Sequence, residues 1–319
     1  MSITMTELAR LAKVSQSTVS LVLNEQPGRR ISPETETRIR RLAQQHNFRV
    51  NRAAVKLRRG DTSVIGICMA TTNHPDNALK TLHFQEFFQK RGYRVIFSFY
   101  SQLDGVGTAL ENIFEHGVDG LLAWDYHPLI EQENIPTVFY SIQNPNYDCV
   151  TWDAVKYAED VIAVATQCGF RHIVSTSGLF EDTRNPELRR LTAETGIALE
   201  FLACDNLIDC VRRSRSVFST CRQPVLFLSN DFLAVGIYAA AAEYGLRIPD
   251  DVSVLGMDNL PTAPYMQPPL STFDFDLEKL CVTLSDLLIK RIKDKERRVK
   301  HVLQPMELIV RQSVKGLNA

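Results

Sequence analysis

The sequence predicts a mixed α/β chain in which a small all-α head precedes a large body of doubly wound parallel sheets. Three observations carry that prediction. From residue 64 onward, short apolar, β-branched or aromatic runs (VIGICMA, RVIFSFY, GLLAW, TVFYSI, HIVST, EFLAC, VLFLS, VSVLGM) alternate with helical stretches. This is the pattern of parallel strands covered by helices on both faces. The runs are too numerous for one five-stranded sheet, so two doubly wound subdomains are expected, with a ligand cleft at their strand ends. Before residue 50 such runs are absent, and three helical segments stand instead. A chain of 319 residues is long enough for both parts.

In the head, Thr4 can cap a first helix, with Glu7 placed to complete a capping box. Leu8, Ala9, Leu11 and Ala12 supply its apolar face. Ser15 can cap a second helix that begins Gln16-Ser17-Thr18 and buries Val19, Val22 and Leu23. A third helix is announced by Ser32-Pro33-Glu34, a cap, a proline at the first helical position and an acid suited to the dipole. Ile39, Leu42, Ala43 and His46 follow at helical spacing. Two short helices joined by a tight turn, with small polar residues leading the second, form a helix-turn-helix as it meets DNA.

Charge supports this. Residues 1–60 hold 12 Lys or Arg against 4 Asp or Glu, a net +8, while the rest hold 24 against 33, a net −9. A basic head on an acidic body suits a nucleic-acid module joined to a sensing or assembly module. Seven scattered cysteines form no CxxC pair and read as small buried hydrophobes. The first residues hold no long apolar segment and no run reaches transmembrane length, so a cytoplasmic location is expected. No P-loop, GxSxG, HExxH or GxGxxG occurs and the histidines lack metal-ligand spacing, so no enzyme, cofactor or metal is expected. A soluble carrier with the same two-lobed body fits neither the basic head nor the missing export signal.

The stretch MTELARLAKVSQSTVSLVLN, then RRISPETETRIRRLAQQHNFRVNRAAVKLRRG and SVIGI, resembles the N-terminus of LacI/GalR transcription regulators. The resemblance continues through VDGLL, IPTVF and SNDFLAVGIYAAAAEYGLRIPDDVSVLGMDN, and so spans nearly the whole chain. It implies a helix-turn-helix domain (1–50), a hinge helix (51–60) and a periplasmic-binding-protein-like effector and dimerisation body (61–319). The implied N-subdomain is about 62–152 plus 276–304, and the C-subdomain 153–275 plus 305–313. The function implied is a ligand-responsive regulator, a repressor, bound to operator DNA.

Gln16 and Ser17 are expected to read base edges, an amide pairing with adenine and a hydroxyl with several bases. Leu21 stands where the family usually has arginine and offers apolar contact instead, for example to a thymine methyl. Thr4, Ser15, Thr18 and Ser20 serve phosphates or caps. Arg29, Arg30, Arg49 and Arg52 are candidates for backbone charge neutralisation. Residues 51–60 are too few for a stable isolated helix. The resemblance makes them a hinge that folds in the minor groove, with Ala54 and Leu57 there and Leu57 as the wedge.

In the cleft, Arg184, Asn230 and Asp258 match positions that commonly touch the effector. Asp76, Asn77, Ser141 and Phe275 are candidates to line a polar pocket, while Asp231 is expected to cap a helix starting at Phe232. HPDNAL at 74–79 replaces a stretch often holding paired aromatics, so the usual stacking platform for a sugar face is expected to be absent. A sugar or sugar phosphate is the family's default effector. The chain ends soon after the last strand without a leucine heptad, which favours a homodimer over a tetramer and hence a pseudopalindromic operator.

Overall fold

The computed structural model describes residues 5–23, 31–46, 62–71, 75–177, 185–220 and 224–317, and the chain divides into two compact units, 1–62 and 63–319. In the first unit, α1 (Met5–Ala12), α2 (Gln16–Leu23) and α3 (Pro33–Gln45) enclose a core of Leu8, Ala9, Ala12, Val19, Val22, Ile39 and Ala43. Leu11 is 43% exposed, because at 100° per residue it points about 100° away from the stripe centred on Leu8, Ala9 and Ala12. His46 lies just past the end of α3 and is exposed.

The turn between α1 and α2 is a Schellman closure. Val14 N–H donates to the Ala9 carbonyl at 3.0 Å, Lys13 N–H donates to the Arg10 carbonyl at 3.2 Å, and Lys13 takes φ 53°. A lysine thus stands where glycine is usual. Ser15 caps α2 by accepting from Thr18 N–H at 3.2 Å, and Ser32 caps α3 by accepting from Thr35 N–H at 3.3 Å.

The second unit holds two six-stranded sheets. The first five strands, β1 (Val64–Ala70), β2 (Arg94–Tyr100), β3 (Gly120–Ala123), β4 (Thr137–Tyr140) and β5 (Asp148–Trp152), lie in one sheet. The next five, β6 (His172–Ser177), β7 (Ala198–Ala203), β8 (Val225–Leu228), β9 (Val252–Met257) and β10 (Ser271–Asp274), lie in the other. The chain then returns to the first sheet with β11 (His301–Gln304) and to the second with β12 (Glu307–Ile309). The orders are β11-β5-β4-β3-β1-β2 and β12-β10-β9-β8-β6-β7, all parallel except β12 against β10.

Two helices cover one face of the first sheet together. They are α4 (Asp76–Lys90), after β1, and α11 (Leu277–Lys293), which packs on α4 and across β3, β4 and β5. Between them in sequence come α5 (Val106–Phe114), α6 (Leu129–Glu133), α7 (Ala154–Gln167), α8 (Asn185–Thr195), α9 (Leu207–Thr220) and α10 (Asp231–Glu243). Gly120 shows why α11 can lie so close, since a Cβ there would meet Ile292 and Leu288 at 2.7 and 2.9 Å. Central strands β1, β3, β4, β8 and β9 are buried along their whole length, as sheets covered on both faces require.

Four strands lie outside the eight predicted runs: β5, β10, β11 and β12. Each has five residues or fewer, and all contain polar residues. Burial on these strands is decided by neighbours distant in sequence. Among the described residues no helix is long and apolar enough to cross a membrane.

Candidate DNA interface and effector cleft

On α2, Gln16 and Ser17 are exposed and Thr18 and Leu21 half-exposed, so the leading face stays free of the head's core. Gln16 Nε2 donates to Thr6 Oγ1, and Ser15 Oγ lies 2.7 Å from Ser17 Oγ and 2.9 Å from Thr18 Oγ1. The Ser15 hydroxyl is therefore engaged as a cap. Thr4, Arg29, Arg30, Arg49, Arg52, Ala54, Leu57 and Arg184 lie outside the described residues, as does the side chain of Ser20. Gln16→Ala should relax base preference at one position per half-site, at about 1–3 kcal/mol. Competition binding with single-base operator variants measures it, and an unchanged preference would remove Gln16 from base readout.

The carboxyl ends of the strands converge in the body. In the first sheet, Trp124 follows β3, Tyr140 ends β4 and Trp152 ends β5. Tyr140 lies between the two tryptophans, with ring centroids 5.1 Å from Trp124 and 6.4 Å from Trp152, both edge-to-face, while Phe84 backs Trp124 at 6.2 Å. Both tryptophans are half-buried. A wall of strand-end aromatics thus forms here, separate from the 74–79 segment, which holds no aromatic residue. A signal for it stood in the sequence, because GLLAW, TVFY and DCVTW each close on an aromatic residue.

Beside the wall, Lys80 of α4 donates to Asp76 one turn earlier, and its Nζ lies 5.5 Å from the Tyr140 ring centroid. Both members of the pair are buried. Burial by itself lowers the pKa of the Lys80 ammonium, but the Asp76 carboxylate outweighs it and holds the value above that of an ordinary lysine. Asp258, just past β9 of the second sheet, adds to the effect. Burial also raises the Tyr140 phenol, keeping it a neutral donor.

The expected pocket residues divide by their roles. Asp258 is half-buried with φ 103°, its N–H donating to the Phe273 carbonyl at 2.8 Å, so its backbone is fixed at the strand end. Ser141 takes φ 67° and its N–H donates to the Val150 carbonyl. Asp76 is buried against Lys80, and Asn77 donates from Nδ2 to the Ala70 carbonyl at 3.1 Å. Phe275 belongs to the apolar core at 4% exposure, its carbonyl accepting from Gln304 Nε2 at 2.8 Å. It therefore offers no polar lining.

The cap expected of Asp231 belongs to Asn230, whose Oδ1 accepts from Leu233 N–H at 2.7 Å. Asp231 is the first residue of α10, fully buried, and accepts from Leu260 N–H at 2.8 Å and Thr272 Oγ1 at 2.6 Å. It locks the loop beyond β9 to β10. Gly256 makes room for it, since a Cβ there would come within 2.2 Å of Asp231 Oδ1. Asn230 keeps its Nδ2 hydrogens for other partners.

Residues 4–51 match the family of bacterial regulatory proteins of the lacI type, and residues 153–314 match the periplasmic binding protein-like domain. The chain belongs to the LacI family. Among its relatives, the HTH-type transcriptional repressor PurR of Photobacterium profundum is 28% identical, covering 99% of both chains. The ribose operon repressor of Haemophilus influenzae is 27% identical, over 98% of this chain and 99% of that one. In fold, this LacI-family protein is similar to the lac repressor dimer bound to operator and the anti-inducer ONPF, at TM-score 0.85 and 21% identity over 99% of this chain and all of the other. It is also similar to a LacI family transcriptional regulator of Enterococcus faecium with bound ribose, at TM-score 0.71 and 19% identity over 80% of this chain and all of the other. The protein is a DNA-binding transcriptional regulator and not an enzyme.

Proposed function

We propose that this LacI-family protein is a repressor that grips a pseudopalindromic operator as a homodimer and is controlled by a small neutral ligand, a sugar or a planar heterocycle, in the cleft of its body. The observation that carries the reading is the cluster of Trp124, Tyr140 and Trp152 at the carboxyl ends of the first sheet, its two tryptophans half-buried, beside the buried Lys80–Asp76 pair. Aromatic faces take up sugar C–H faces and flat rings alike, while carboxylate and amide groups fix orientation. Lys80 is neutralised by Asp76 within hydrogen-bond reach, which gives a phosphorylated ligand little free cation on the α4 side. A ribose operon repressor among the relatives and bound ribose in a similar structure fit the first of these ligand classes.

The proposed division is a head over 1–50, a hinge over 51–60 and a body over 61–319, acting in the cytoplasm where its DNA lies. The homodimer is supported by the edge strand of the first sheet. Phe97 and Phe99 stack there on β2, with rings 6.2 Å apart and 10° from parallel, and Leu82 of α4 is 60% exposed. A ligand that binds one state of the body better shifts the pair of hinges toward or away from the minor groove.

Selection of sites from a random duplex library by the full-length protein tests this. Enrichment of a palindrome is expected. A non-palindromic winner, or no enrichment with and without a panel of sugars and purines, would count against the dimeric repressor. Leu57→Ala should then weaken binding to the selected site by about tenfold or more, the wedge being needed to open the central step. Unchanged affinity would sink the hinge role.

A further inference from the structure

We propose that Asn259 is a positioning residue of the effector site: its amide latches the loop carrying Asp258 to the chain crossing at 274–276, so that loop and crossing shift together. This rests on the reading of Asp258 as an effector contact. The chain passes between the two sheets of the body three times, between β5 and β6, between β10 and α11, and between β11 and β12. The crossings are joined to one another. Gln304, at the end of β11, pairs in register with Trp152, at the end of β5, and its Nε2 donates to the Phe275 carbonyl of the middle crossing at 2.8 Å. A residue that ties the Asp258 loop to the middle crossing is therefore tied to all three.

The side chain of Asn259 is placed to do this. Its Nδ2 donates to Asp274 Oδ2 at 2.9 Å, while its Oδ1 accepts from Arg311 Nη2 at 2.7 Å. The amide lies between an anion and a cation with its dipole aligned to both, and both bonds are charge-assisted. Aspartate at this position would satisfy Arg311 but set a like charge against Asp274. Arg311 is anchored in turn, its Nη1 donating to the Leu270 carbonyl at 2.6 Å. On the other side, Asp274 Oδ1 accepts from the Asp276 N–H at 2.7 Å, and Asp276 caps α11 by accepting from Lys279 N–H at 3.0 Å. An unbroken line of polar contacts thus runs from the loop after β9 to the first turn of the helix that covers the first sheet.

The backbone points the same way. Asp258, Asn259 and Asp276 take φ of 103°, 47° and 49°, values that non-glycine residues keep only where their surroundings over-determine them. The Asp258 N–H is held by the Phe273 carbonyl at 2.8 Å and the Asn259 N–H by Thr272 Oγ1 at 3.4 Å. Loop and crossing thus hold each other in place. A bond from an effector to Asp258 therefore bears on residues 274–276 and the start of α11, which is the physical link that a ligand-driven shift between the two halves of the body requires.

The test exchanges donor and acceptor. Asn259→Asp sets two carboxylates against each other. Adding Asp274→Asn restores the pair with reversed polarity, since the new amide donates to the new carboxylate, which still accepts from Arg311, and the amide oxygen still accepts from the Asp276 N–H. Hydrogen exchange and binding to the duplex enriched by site selection are measured on the full-length, ligand-free protein and both variants. In Asn259→Asp, exchange should rise by about tenfold or more around residues 258–260 and also in the first turn of α11. Operator affinity should shift by about fivefold or more, the low end of coupling between distant sites. The double variant should return both quantities to those of the unaltered protein. A rise confined to 258–260 would overturn the proposal, as would an operator affinity that stays fixed while exchange rises, or a double variant no better than the single one. If Asn259→Asp does not fold, Asn259→Gly, which accepts positive φ and removes both bonds, takes its place, and the double variant must still match the unaltered protein. No ligand enters these measurements, so a wrong assignment of Asp258 leaves them untouched and is exposed instead by effector titration of Asp258→Asn.

Discussion

Asp148→Ala should destabilise the body by about 3–5 kcal/mol, the range found when one partner is removed from a buried ion pair. Asp148 has no solvent exposure and pairs with both Arg291 and Arg297, whose side chains are only 12% and 19% exposed. Alanine would leave two mostly buried guanidinium groups and the Lys300 N–H without this acceptor. Thermal unfolding of the body should fall by on the order of 10 °C. Asp148→Asn should recover part of the loss, because an amide oxygen still accepts while the charge is gone. If alanine costs less than about 1 kcal/mol, the network is not what closes the return from α11 to β11.

Asp258→Asn should cost about 10- to 100-fold in effector affinity while leaving operator binding unchanged. Asparagine fits the same space and tolerates positive φ at this position (φ 103°), so the backbone of the strand end is preserved. What is lost is a charged acceptor, worth about 1.5–3 kcal/mol in a hydrogen bond, on the lobe opposite the aromatic wall. Titration calorimetry with ribose, lactose, sugar phosphates and purines measures the loss for whichever compound binds. An unaltered affinity would place the effector away from Asp258. A loss of DNA binding would instead assign Asp258 to the folding of the body.

The helical head was legible because its determinants are local. Ser15 and Ser32 cap helices that start one residue later, and both are seen to do so. Strong parallel strands such as VIGICMA announce themselves by uninterrupted burial, and the basic head against an acidic body can be read by counting. The turn at Lys13 was not signalled by a glycine, since its hydrogen bonds come from the Schellman geometry and not from residue type.

The polar interior was far less legible, and for one physical reason. A carboxylate's role depends on what meets it in space, and sequence spacing carries that only within a turn or two of helix. Asp76 and Lys80, four residues apart on α4, could have been paired by helical spacing alone. Asp148 meets Arg291 from 143 residues away, and Asp231 meets Thr272 from 41. Asn230 takes the cap expected of Asp231, because burial pulls Asp231 inward to the loop beyond β9. By itself the sequence determined a basic helix-turn-helix head, an alternating α/β body and the family to which both belong. Only the tertiary structure decided that three strand-end aromatics form one wall, that Phe275 belongs to the core, and that Asp148 pairs with arginines at the return from α11 to β11, because each depends on parallel strands bringing distant residues to one end of a sheet.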